Sequence, residues 1–203
     1  MTDAHEALRE LEERARGCTA CRLAETRTTV VFGDGSSDAR VMFVGEGPGK
    51  NEDLQGVPFV GAAGQLLNTL LEEVHLRRED VYIANVVKCR PPGNRDPRPD
   101  EIEACKGYLA DQIKLIDPDV VSTLGNFATK LLLKQELGIT RLRGRAYPWW
   151  NRTVVPTFHP AAALRGGDSV KDRMREDFAL IESVLSNTEA VQDSEPEQMG
   201  LFG

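Results

Sequence analysis

The sequence predicts an α/β fold, a three-layer α/β/α sandwich built on a central four-stranded parallel sheet, and three observations carry that reading. Four short apolar, β-rich runs alternate with helical patterns, one strand per roughly 35–40 residues, as in consecutive βαβ units. The runs are almost continuously apolar, as strands covered on both faces must be. The chain of 203 residues is 40% hydrophobic and 28% charged, enough to bury one substantial core and too apolar for a wholly disordered chain.

Taken in order, a flanking helix is expected near Ala4–Arg14, followed by a strand at Val41–Gly45 (VMFVG). A helix is expected at Ala63–Val74 and a second strand at Val81–Val87 (VYIANVV). The helix at Pro99–Ile116 has the clearest limits. Asp96 to Asp100 with the prolines supply its start, Ile102, Cys105, Leu109, Ile113 and Ile116 keep helical spacing, and Pro118 stops it. A strand at Val120–Leu124 (VVSTL), a helix at Asn126–Leu133, a strand at Thr153–Thr157 (TVVPT) and a helix near Val170–Leu185 complete the pattern. Residues 1–185 read as one domain and 186–203 as an acidic, disordered tail with Leu201-Phe202 as a short docking tip.

The longest uninterrupted apolar stretches are four or five residues, too short to span a bilayer. The amino-terminal MTDAHEALREL lacks the positive and apolar regions of a secretory signal, so the expected address is the cytoplasm. The net charge of −7 at first argues against a nucleic-acid partner, but its distribution reverses that. Residues 182–203 hold five acids and no base, and residues 1–16 hold five acids and three arginines, which leaves 17–181 neutral overall. Within that neutral part, residues 137–167 carry Arg141, Arg143, Arg145, Arg152 and Arg165 and no acid. Lys88, Arg90, Arg95 and Arg98 form a second basic cluster, interrupted only by Asp96. Such local clusters decide whether a phosphate backbone can dock.

The four cysteines fall as Cys18-x2-Cys21 and Cys89-x15-Cys105, 67 residues apart. Disulfides are not expected in a reducing compartment, and the close pair can present two thiolates to one metal. With no histidine nearby, four thiolates suit either tetrahedral zinc or an iron–sulfur cluster, and spacing does not separate the two.

In open parallel sheets, ligands bind beyond the carboxyl ends of the strands. Those ends carry Gly45-Glu46-Gly47-Pro48-Gly49, Asn85 to Cys89, Gly125-Asn126 and Phe158-His159-Pro160. One edge therefore collects an acid, an amide, a glycine-rich turn, a histidine and two thiols. The turn fits neither a P-loop nor the dinucleotide-binding glycine pattern.

Read together, Gly45-Glu46-Gly47-Pro48-Gly49 with Glu52-Asp53, Pro58-Phe59-Val60-Gly61 with Ala63-Gly64-Gln65-Leu66-Leu67, Asn85-Val86-Val87-Lys88-Cys89-Arg90-Pro91-Pro92 and Thr157-Phe158-His159-Pro160 occur in order. This closely resembles the uracil-DNA glycosylase superfamily, specifically its family 4, iron–sulfur class found in bacteria and archaea. The resemblance runs from about Cys18 to Asp177.

The resemblance implies a monofunctional enzyme that flips deoxyuridine out of DNA, hydrolyses its N-glycosidic bond and leaves an abasic site. It implies a [4Fe–4S] cluster on Cys18, Cys21, Cys89 and Cys105. Phe59 would stack on the flipped ring, and Asn85 would read O4 and N3–H of uracil against the opposite pattern of cytosine. His159 would stabilise the charge growing on O2. Gly47 and Pro48 would line the base site, with Gly47 standing where the best-known family carries its water-orienting aspartate. Gly49 replaces the tyrosine that excludes the thymine methyl there. Glu46 is the expected group for water or base, and Glu52 is expected to fill the space beside Gly49. Leu164 would fill the vacated stack, with Arg143, Arg145 and Arg165 on phosphates. The partner is uracil-containing DNA, single- or double-stranded, and a monomer with no membrane contact is expected. Two rival readings are an enzyme acting on a free nucleotide and a zinc-stabilised DNA-binding scaffold without activity.

Overall fold

The computed structural model describes residues 4–194. Its elements in chain order are α1 (Ala4–Arg16), β1 (Asp34–Gly35), β2 (Val41–Gly45), α2 (Lys50–Gln55), α3 (Ala62–Glu73), β3 (Tyr82–Asn85), α4 (Pro99–Ile116) and β4 (Val120–Leu124). There follow α5 (Asn126–Leu133), α6 (Ile139–Leu142), β5 (Tyr147–Trp149), β6 (Arg152–Thr157), α7 (Pro160–Gly166) and α8 (Asp168–Ser194). The strands form one six-stranded sheet in the order β1-β3-β2-β4-β6-β5. The four inner strands pair in parallel, while β1 and β5 add antiparallel edges. The sheet is therefore mixed and wider than the four-stranded parallel sheet expected. Its edge strands of two and three residues are too short to show as runs in the sequence.

Alternation along β2 assigns the two faces. Val41 and Phe43 join a cluster with Leu67 and Leu71 of α3 and Phe178 of α8. Met42 and Val44 join another with Leu8 and Leu11 of α1 and Leu109 and Ile113 of α4. Successive strand residues point to opposite faces, so each face carries its own apolar layer under its own helices. Phe43 and Phe178 stack with ring centroids 5.4 Å apart.

Helix α4 spans the expected residues because both ends are specified locally. The Glu101 carboxylate accepts the Arg98 backbone N–H at 2.8 Å, and Arg95 clamps the same carboxylate at 2.6 and 2.9 Å. At the other end Asp117 turns left-handed (φ 50°) ahead of Pro118. Helix α8 continues to Ser194, into the stretch where composition suggests a structureless tail. Leu201 and Phe202 lie outside the described residues. Among the described residues no helix is long and apolar enough to cross a membrane.

Candidate active site

Because the inner strands are parallel, their carboxyl ends open on one edge, and a cavity of about 600 Å³ lies there. Its walls include Glu46, Gly47, Pro48, Gly49, Glu52, Phe59, Asn85, His159 and Arg165. The structure thus brings together every residue expected to touch the base.

Asn85 ends β3 and is buried, and its Oδ1 has no hydrogen-bond partner. An unpaired buried carbonyl oxygen costs about 1–3 kcal/mol, which a ligand's N–H would recover. Gly45, paired with Asn85 across β2 and β3, makes room for it. A Cβ at Gly45 would lie 2.4 Å from Asn85 Oδ1 and 2.8 Å from the Phe59 ring. Phe59 has a left-handed backbone (φ 52°), rare for a bulky side chain. Arg78 holds it there, donating to the carbonyls of Pro58 (2.6 Å) and Phe59 (3.3 Å). The Phe59 ring sits 5.6 Å from the His159 ring.

His159 caps α7, with Pro160 at the first helical position. Its Nδ1 accepts the Ala161 backbone N–H at 3.2 Å, so the neutral ring carries its proton on Nε2. Burial, reinforced by the Arg165 charge, pulls its pKa down to about 4, and the ring is neutral at physiological pH. Glu46 moves the other way. Burial, with a smaller contribution from the Asp96 charge, pushes it up to about 7. Glu52 Oε1 accepts the N–H groups of Val60 and Gly61, both at 3.1 Å. A Cβ at Gly49 would lie 2.6 Å from Glu52 Oε2, so the glutamate fills the space that a side chain at 49 would need.

Two expectations about the basic residues are corrected. Arg143 does not present its guanidinium to solvent, because it bonds the Asp177 carboxylate at 2.8 and 2.9 Å and Glu176 at 3.0 Å. Asp177 in turn accepts Thr157 Oγ1 at 2.6 Å, so Arg143 buttresses the strand end that carries His159. In the second cluster Lys88 is fully buried and Arg95 is spent on Glu101, which leaves Arg90 and Arg98. Arg145, Leu164 and Arg165 are exposed, the last two on α7, a helix where the sequence suggests only a loop. Asp96, the acid neighbour of Glu46, lines the cavity, although in the sequence it shows only as an interruption of the basic cluster and as part of a helix start signal.

The four cysteines line a second, small cavity with Arg27 and Tyr108. Arg27 Nη1 donates to Cys89 Sγ at 3.4 Å, and the Lys88 backbone N–H donates to Cys105 Sγ at 3.3 Å. Among the described residues, no three His, Cys, Asp or Glu side chains close around a single metal ion.

An α/β edge with a cavity of about 600 Å³, an unpaired buried amide oxygen and a neutral histidine marks an α/β protein with a polar ligand site at the carboxyl ends of its strands. The family described as the uracil DNA glycosylase superfamily matches residues 32–180. A type-4 uracil-DNA glycosylase of Thermotoga maritima is 50% identical over 167 residues, covering 81% of this chain and 87% of that protein. One from Saccharolobus solfataricus is 44% identical over 193 residues, 91% of this chain and 89% of that protein. A third, from Sulfurisphaera tokodaii, is 45% identical over 185 residues, covering 87% and 84%. The chain belongs to the uracil-DNA glycosylase superfamily, in its type-4 group.

Proposed function

We propose that the protein is a monofunctional uracil-DNA glycosylase of DNA repair, which hydrolyses the N-glycosidic bond of deoxyuridine and leaves an abasic site. The observation that carries this is the unpaired Asn85 Oδ1 in the same cavity as the neutral His159. A buried acceptor rewards a ring offering N3–H, and the amide N–H₂ beside it meets O4. Cytosine offers the opposite pattern and leaves buried groups unpaired, which discriminates by about 10⁴–10⁵ in sites of this kind. Phe59 stacks on the extruded base, while Gly47 and Pro48 line its edge. Glu52, in the space beside Gly49, rejects the thymine methyl.

The His159 Nε2–H donates to uracil O2 as negative charge grows there. With a pKa near 4 the ring cannot protonate the leaving base, so it acts as a neutral donor in a water-poor cavity. Glu46, poised near 7, orients or deprotonates the attacking water, and its ionised form also faces the cationic sugar that develops as the bond breaks. Leu164 fills the vacated stack, and Arg145 and Arg165 take phosphates of single- or double-stranded DNA. The working unit is a monomeric domain of residues 1–185 acting in the cytoplasm.

A [4Fe–4S] cluster on Cys18, Cys21, Cys89 and Cys105 fits the donor set, which is thiols alone with N–H donors on two of the sulfurs. When bound, the cluster would supply structure and no step of the hydrolysis. Arg27 ties the ligand segments together, donating to Cys18 O at 2.7 Å and to Cys89 Sγ at 3.4 Å.

The deciding experiment is uracil release from a single-stranded oligonucleotide with one deoxyuridine, read as free base and as alkali-labile strand. Release confirms the reading. Binding without release supports the scaffold, and turnover of deoxyuridine monophosphate alone supports the free-nucleotide enzyme. Anaerobically purified protein should be brown and contain iron and sulfide, whereas colourless, folded protein with one zinc per chain overturns the cluster.

A further inference from the structure

Among the described residues Lys88 is the one buried lysine, 1% exposed, and no carboxylate lies against its ammonium. A chain that buries an ammonium must satisfy its N–H groups with fixed acceptors. Lys88 Nζ donates to the Asn85 backbone carbonyl at 2.9 Å and to Gln112 Oε1 at 2.5 Å, and it lies 5.8 Å from the centre of the Phe32 ring. The Gln112 amide cannot turn away. Its Nε2 donates to Phe32 O at 2.9 Å and Tyr82 Oη at 3.1 Å, which leaves Oε1 facing Lys88. Gln112 is itself fully buried on α4, the helix that carries Cys105.

The backbone of Lys88 is held from other directions. Its N–H donates to Cys105 Sγ at 3.3 Å, and its carbonyl accepts the Val31 N–H at 2.8 Å. The next residue is Cys89. Five consecutive residues therefore run from the amide that reads the base to a thiol of the second cavity, and Lys88 bridges the two ends.

We propose that Lys88, backed by Gln112, is the positioning residue for Asn85, fixing the strand end so that the amide meets uracil, and that it couples this placement to Cys89 and Cys105. The inference rests on the reading of the cavity as a uracil site and adds the device that holds its specificity. A lysine that merely filled space would affect stability and leave base recognition alone.

The test uses the full-length, cluster-loaded protein with Lys88→Met, which keeps the length and loses the donors, and Gln112→Leu as a second route to the same bond. Iron content and melting temperature establish that each variant is loaded and folded. Single-turnover kcat and KM on a deoxyuridine oligonucleotide, inhibition by free uracil and affinity for a uracil-free oligonucleotide are then measured. Displacing a reading group by about 1 Å costs on the order of 10²-fold, and that loss is expected in kcat/KM for uracil. Free uracil should inhibit about tenfold more weakly on the same grounds, with affinity for uracil-free DNA unchanged. In an Asn85→Ala background Lys88→Met should add little, because both act through one contact. Wild-type inhibition by free uracil in folded variants, or full additivity with Asn85→Ala, overturns the inference. If Lys88→Met yields no folded protein, the same measurements on Gln112→Leu decide alone. A wild-type protein that releases no uracil overturns the functional reading instead.

Discussion

Replacing Arg143 by methionine separates two jobs that an arginine in a basic segment can do. The Asp177 side chain is fully shielded and that of Arg143 is 13% exposed, so the substitution strands a carboxylate in the interior with only Thr157 as a side-chain donor. Removing one partner of a buried pair typically costs about 3–5 kcal/mol. For a chain of this size each kcal/mol lowers the melting temperature by about 2–4 °C, so a drop of about 6–20 °C is expected. The deficit depends on pH. Burial already holds the Asp177 pKa above the usual carboxylate range, even with Arg143 present. A group raised in the folded state favours folding at low pH and loses that contribution as pH rises through its folded pKa. Losing the arginine raises the pKa further, so the variant's deficit should be larger at pH 8 than at pH 5. Calorimetry at both values, with DNA affinity measured against salt concentration, provides the assay. A variant that melts like the wild type while its salt slope falls by about one unit would mean that Arg143 serves a phosphate, and the reasoning fails.

Other outcomes follow from the cavity. His159→Ala should slow single-turnover cleavage by about 10²–10³ while leaving DNA affinity nearly unchanged, and a tenfold weaker affinity with a normal saturated rate would make the histidine an anchor. The rate should rise with pH through about 7 as Glu46 ionises, Glu46→Gln should abolish that inflection, and Asp96→Asn should shift it lower by removing a like charge. An unchanged inflection in Glu46→Gln would assign it to another group. Asn85→Asp should lose uracil release and gain some on cytosine when its carboxyl is protonated, and full uracil activity in Asn85→Ala would show that the base is read elsewhere.

What the sequence made legible follows the range of each signal. Strands β2 and β4 and helices α4 and α5 fall on the expected residues, because apolar runs and local stop signals set their limits. Helices α2, α6 and α7, of six, four and seven residues, are too short for a periodicity to declare itself. Glu46, Asn85 and His159 could be placed together because parallel strands deliver their ends to one edge. Arg143 could not be placed, since its partner Asp177 lies 34 residues away and nothing local marks the pairing. Lys88 sits among exposed-looking cations, and only the approach of Phe32 and Gln112 reveals it as interior.

The two edge strands bear on how the protein behaves in a crowded solution. A parallel sheet that ended on β3 and β6 would expose rows of unpaired N–H and C=O groups, a template on which further chains could stack. Here β1 covers one border with only two residues, Asp34 and Gly35. On the other border β5 presents Pro148, which has no N–H to donate, opposite Thr153. Both borders are blunted against strand addition. Edge-to-edge pairing between copies of the sheet is therefore disfavoured at both borders.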